Sequence, residues 1–114
     1  MNDCIFCKIV RGEIPAKKVS EDDDIIVFHD IRPIAPVHLL IIPKLHIASL
    51  AEAETAHAAL LGKMLLIGPR LAREHGLEHG FRTMINTGKG GGQEVFHLHF
   101  HIFGDPSQGK LPHL

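Results

Sequence analysis

The sequence predicts an α+β domain: a five-stranded antiparallel sheet, one long helix and a short N-terminal helix. Three observations carry that reading. His97-Leu98-His99-Phe100-His101-Ile102-Phe103 alternates polar and apolar without a break, the period of a strand with one buried face. Apolar segments of strand length are separated by short polar or proline-bearing runs, which favours hairpins and hence antiparallel pairing. From about Glu54 to about His75 the apolar residues Leu60, Leu61, Met64, Leu65, Leu71 and Ala72 share one helical stripe.

In chain order, Ile5, Phe6, Ile9 and Val10 fall at helical spacing, with Gly12 and Pro15 as stop signals, so a short helix opens the chain. Lys17–Ser20 and Ile25–His29 read as strands joined by a solvated acidic turn, Glu21-Asp22-Asp23-Asp24. The two prolines of Asp30-Ile31-Arg32-Pro33-Ile34-Ala35-Pro36 make it a loop. Val37–Pro43 is apolar enough for a central strand. Ser49-Leu50-Ala51-Glu52 has the pattern of a capping box before the long helix. Gly68-Pro69 inside that helix predicts a kink, and Gly76 and Gly80 end it. Phe81–Asn86 and Val95–Phe103 form the last hairpin across a glycine loop, and a polar tail follows from Gly104.

The bulk numbers narrow the class of function. A chain of 114 residues, 45% hydrophobic and 22% charged, reads as one soluble domain spanning 1–114. Its net charge of −1, without a Lys/Arg cluster, leaves no electrostatic footprint for nucleic acid. The longest apolar runs, Leu39–Pro43 and Met64–Ile67, are too short to cross a bilayer, and no signal-peptide core follows Met1. The expectation is a cytoplasmic protein with no membrane partner. Against this ordinary background stand ten His, with no Trp and no Tyr.

Three imidazoles on one strand face, on the order of 6–7 Å apart, have no packing rationale. They suit metal ligation, or covalent catalysis with one ring as nucleophile and its neighbours as donors. The run Gly88-Lys89-Gly90-Gly91-Gly92-Gln93, too flexible for helix or strand, supplies unhindered backbone N–H groups for an anion. Only Glu94 is acidic near the triad, so the pairing points to phosphorus chemistry. Cys4-x-x-Cys7 is open between a redox pair, two buried thiols and half of a zinc site.

The stretch from Gly91 to Ile102 resembles the His-φ-His-φ-His-φ-φ signature of the histidine-triad (HIT) superfamily. Further stretches match in order: Ile5 to Pro15, Phe28-His29-Asp30-Ile31 with Pro33, and His38 with Pro43-Lys44-Leu45-His46. Together they cover nearly the whole chain and most resemble the Hint branch of nucleotide-binding phosphoramidases. The resemblance implies a HIT-like fold and a nucleotidyl-histidine intermediate on His99, formed at the α-phosphorus of a purine nucleoside 5′-phosphoramidate. His101 would hydrogen-bond a phosphate oxygen, with His97 and His38 also at the catalytic site. Loop amides near Gly92, Gln93, Glu94 and Val95 would hold the non-bridging oxygens, and Asn86 would contact the phosphate or leaving group. Asp30 would accept the ribose hydroxyls, and Phe6, Ile9, Phe28 and Ile31 would line the purine slot. The resemblance also implies a structural zinc on Cys4, Cys7, His46 and His97, and a homodimer. Two other activities stay in view: hydrolysis of dinucleoside polyphosphates, as in the Fhit-like branch, and a non-catalytic nucleotide-binding scaffold. The chain departs from the common Hint pattern at Glu94, where many members have Ser. It departs again at Gly104-Asp105-Pro106 and in lacking a C-terminal Trp, which puts substrate preference rather than fold in question.

Overall fold

The computed structural model describes residues 4–107 and 111. Helix α1 (Ile5–Val10) precedes strands β1 (Lys18–Glu21), β2 (Ile25–His29) and β3 (Val37–Pro43). Helix α2 (Ala58–Glu74), β4 (Arg82–Met84) and β5 (Phe100–Gly104) follow. The five strands form one sheet in the order β1-β2-β3-β5-β4, with every neighbouring pair antiparallel.

The sheet is covered on both sides, and the period-2 geometry of its strands sorts the residues. Leu39 and Ile41 of β3 join Ile25, Val27, Leu98, Phe100 and Ile102 in a core with Met64, Leu71 and Ala72 of α2. The alternate residues Leu40 and Ile42 join Ile26 and Phe28 under Phe6 and Ile9 of α1. A strand buried on both faces reads as a continuous apolar run, which is why Val37–Pro43 is recognisable as central.

Both helices stop on a glycine at positive φ. Gly12 (φ 77°) donates to Ile9 O and Glu13 to Lys8 O; Gly76 (φ 84°) donates to Arg73 O and Leu77 to Ala72 O. Each pair is a Schellman motif, whose left-handed residue glycine adopts without steric cost. Helix α2 is one continuous α-helix through Pro69, whose ring nitrogen has no hydrogen to donate. Of its predicted stripe, Leu65 is half exposed, whereas Gly68 is buried instead.

Several elements differ from the pattern the sequence suggests. Ser49 caps a separate 3₁₀ turn (Leu50–Glu52), and a second 3₁₀ turn (Thr55–His57) carries a capping box between Glu54 and His57. Lys89–Gly91 also forms a 3₁₀ turn, so the glycine run is shaped rather than loose. The acidic turn is tied down: Lys63 of α2 lies 3.1 Å from both Asp22 and Asp24, and Lys44 lies 2.9 Å from Glu21. Strand β5 begins only at Phe100, because Leu98 N–H turns away from the ladder to donate to Ile47 O at 2.6 Å. Among the described residues no helix is long and apolar enough to cross a membrane. The tail positions Gln108, Gly109, Lys110, Pro112 and His113 lie outside the described residues.

Candidate active site and metal centre

The His residues of the triad divide between two sites, and backbone carbonyls make the division. His97 is fully buried, and its Nε2–H donates to Pro43 O at 2.7 Å. That fixes the proton and leaves the Nδ1 lone pair facing Cys4 Sγ (3.3 Å), Cys7 Sγ (3.5 Å) and His46 Nδ1 (3.2 Å). Cys7 Sγ is itself 3.2 Å from His46 Nδ1. A tetrahedral ion about 2.3 Å from sulfur and about 2.0 Å from nitrogen sets N···N near 3.3 Å and S···N near 3.5 Å. The four donors therefore fit zinc in both type and spacing, and they lie within 4.8 Å of one another. Burial pushes the Cys7 thiol up to about 11 and holds His97 down to about 4, values that a bound cation would offset on the sulfur side. The carbonyl on the far nitrogen of His97 is the outer partner that commonly orients a ligating imidazole. His97 is thus committed to this cluster and does not line the neighbouring cavity.

The cavity has a volume of about 420 Å³ and is lined by His99, His101 and His38 together with Asp30, Asn86, Glu94 and Val95. His99 Nδ1–H donates to His97 O at 2.7 Å, so the neutral ring keeps a lone pair on Nε2. Phe6 packs edge-on against that ring, with centroids 5.1 Å apart at 88°. The His99 and His101 rings lie 5.0 Å apart, closer than an ideal strand spacing, because His99 precedes the ladder.

His38 and His101 form a chain of defined direction. The Ile34 amide donates to His38 Nδ1 at 3.2 Å, so neutral His38 carries its proton on Nε2. That proton points to His101 Nδ1, 2.9 Å away, and neutral His101 then carries its own on Nε2. Nε2 of His101 is buried and has no hydrogen-bond partner among the described residues. Burial lowers His38 and holds His101 down to about 4, so both rings are neutral near pH 7. Asp30 accepts from Arg32 N at 2.8 Å and lies 3.5 Å from His38 Nε2. Although Asp30, His38 and His101 are close enough to hold an ion, the His38 nitrogen that would ligate is already a donor.

The apolar wall is Phe6, Ile9 and Phe28, all buried, while Ile31 is 92% exposed and sits at the rim rather than within the slot. The glycine loop differs from its expected role in a specific way. The N–H groups of Gly91, Gly92 and Gln93 are consumed inside the loop, on Gly88 O, Lys89 O and Gly88 O. Gln93 is buried; its side chain accepts from Gly88 N and donates to Ala48 O and Val95 O. Gly92 and Gln93 therefore shape the loop and do not line the cavity. Glu94 and Val95 do line it, and their amides make no hydrogen bond among the described residues. The backbone groups of Pro43 and Ile34, which set the tautomers, carry no side-chain signal by which sequence could have found them.

A family model described as "Scavenger mRNA decapping enzyme C-term binding" matches residues 3–112. Protein HitA of Neisseria gonorrhoeae is 60% identical over 106 residues, covering 93% of this chain and 99% of that protein. The purine nucleoside phosphoramidase of Escherichia coli is 40% identical over 110 residues, covering 96% and 92%. Among solved structures, a histidine triad protein from Clostridium difficile superposes with a TM-score of 0.92 at 43% identity, over 100% of this chain and 97% of that one. A zinc-bound histidine triad family protein from Mycobacterium smegmatis gives 0.82 at 38% identity, over 96% and 80%.

Proposed function

The chain belongs to the histidine-triad superfamily, and from that premise we propose that it hydrolyses the P–N or P–O bond at the α-phosphate of purine nucleoside 5′-phosphoramidates. The observation that carries this reading is His99: Nδ1 held as a donor on a backbone carbonyl, Nε2 left as a lone pair on a ring that lines the cavity. Such an imidazole is a nucleophile without need of a base. Its Nε2 lone pair bonds to phosphorus, and the amine departs with the P–N electron pair and takes a proton from solvent. The His97 carbonyl on Nδ1–H stabilises the positive ring of the nucleotidyl intermediate. Water then bonds to phosphorus, the imidazole recovers its electron pair, and a proton is released, giving the nucleoside monophosphate. The amides of Glu94 and Val95 and the Nε2–H of His101 supply donors for charge on the phosphoryl oxygens. The purine would lie against Phe6, Ile9 and Phe28, and the ribose against Asp30.

The likeness to the Escherichia coli phosphoramidase supports this substrate class. His99→Ala is expected to lower turnover of adenosine 5′-phosphoramidate by at least about 10³-fold while adenosine monophosphate still binds. Equal turnover by the variant would overturn the mechanism. Zinc at Cys4, Cys7, His46 and His97 is part of the same reading; when bound it would supply a structural tie between α1 and the start of the triad segment. A homodimer would cover Leu65 and Leu66, which stand 49% and 78% exposed on α2. Sedimentation should then give about twice the 12.6 kDa of one chain, and a monomer at micromolar concentration would exclude it.

A further inference from the structure

Glu94 brings a carboxylate to the cavity wall. It is exposed, it lines the wall, and no hydrogen bond or ion pair engages its carboxylate among the described residues. The other carboxylate of the cavity, Asp30, is engaged by the Arg32 amide and lies beside His38. The cations of the wall, Lys17 and Arg32, belong to the Asp30 end, where Lys17 O accepts from His29 N. Glu94 sits on the segment whose amides, its own and that of Val95, make no hydrogen bond among the described residues and suit a phosphoryl group. A carboxylate on the residue that bears one of those amides raises the cost of each further negative charge brought to the phosphorus and favours a positive one.

We propose that Glu94 selects the leaving group by its charge, favouring phosphoramidates whose amine bears a second cationic centre and disfavouring anionic leaving groups such as polyphosphates. The proposal rests on the phosphoramidase reading and names the substrate class within it. A monophosphoramidate brings one negative charge to the site, whereas a polyphosphate brings several to the same carboxylate. With unit charges at about 6–8 Å in a watery cleft, the preference between a cationic and an anionic leaving group comes to about tenfold.

The test uses adenosine 5′-phosphoramidates of three amines of similar length: butylamine, 1,4-diaminobutane and 4-aminobutanoate. The ratio of kcat/KM for the diamine over the amino acid should be about tenfold in the wild-type protein at low salt. It should shrink toward unity in Glu94→Gln, and in the wild type as salt is raised. A ratio that is the same in both proteins, or insensitive to salt, overturns the assignment. Absence of turnover of all three compounds, with adenosine monophosphate still bound, would instead remove the phosphoramidase reading. In that case the ratio of dissociation constants for the same compounds decides the role of Glu94 by the same criterion.

Discussion

At the scale of single residues, three backbone groups and one imidazole fix which nitrogen carries the proton in His97, His99, His38 and His101. Pro43 O takes the His97 proton, His97 O takes that of His99, and the Ile34 amide orients His38, which in turn orients His101. His38 is thus a positioning residue that keeps the His101 proton on Nε2. Burial is the main reason His101 titrates near 4, with His99 and His38 lowering it further and Asp30 raising it. Because its pKa is depressed, His101 stays neutral below the ordinary histidine range and takes up a proton only as pH falls through about 4. In His38→Ala, water replaces the ring, the opposing Asp30 stays, and the acid limb of kcat should move upward toward pH 6.5. Turnover at pH 7 should fall about 10–100-fold with little change in KM. A pH profile whose acid limb coincides with that of the wild type would show that His38 only fills space.

At the scale of elements, the approach of α2 to the sheet is set by Gly68, where a Cβ would meet Ile102 Cδ1 at 2.8 Å. Ala would gain about 1 kcal/mol of helix preference. Crowding a fully buried Ile costs about 1–3 kcal/mol, so Gly68→Ala should be net destabilising by about 1 kcal/mol. Shortening the partner in Gly68→Ala/Ile102→Val should recover much of the loss, and a single variant as stable as wild type would refute the contact. The strands β2 and β3 could be read from sequence to the residue, since continuous β-branched and aliphatic runs admit little else in a sheet buried on both faces. The start of β5 could not. Alternation reports which face a side chain takes, and Leu98 does sit in the core, but it says nothing of where Leu98 N–H finds its acceptor. The same limit governs the site. His97, His99, His101 and the Cys4-x-x-Cys7 pair declare themselves by side-chain chemistry, whereas Asp30, His38 and His46 are legible only through the resemblance to histidine-triad proteins. The spent amides of Gly92 and Gln93, and the open ones of Glu94 and Val95, depend on loop geometry that glycine spacing leaves free.

At the scale of the whole molecule, the four-donor cluster brings together parts of the chain that are far apart in sequence. Helix α1 has six residues, too short to persist without outside support. Its Phe6 and Ile9 cover one face of the sheet and also form the wall of the cavity. Cys4 and Cys7 sit at the start of this helix, His46 follows β3, and His97 opens the segment that runs into β5. An ion held by all four would therefore fix the lid of the second core and the nucleotide slot in a single step. Purified protein should contain one zinc per chain, and removing it with a chelator should lower Tm by about 10 °C, the equivalent of about 2 kcal/mol. Cys4→Ser should do the same without a chelator and should also weaken binding of adenosine monophosphate, because the slot loses its support. Metal-free protein with an unchanged Tm and unchanged nucleotide affinity would mean that hydrophobic packing of Phe6 and Ile9 alone holds α1 in place. Loss of Tm without loss of affinity would separate the two roles, leaving the ion to the fold and the slot to the sheet.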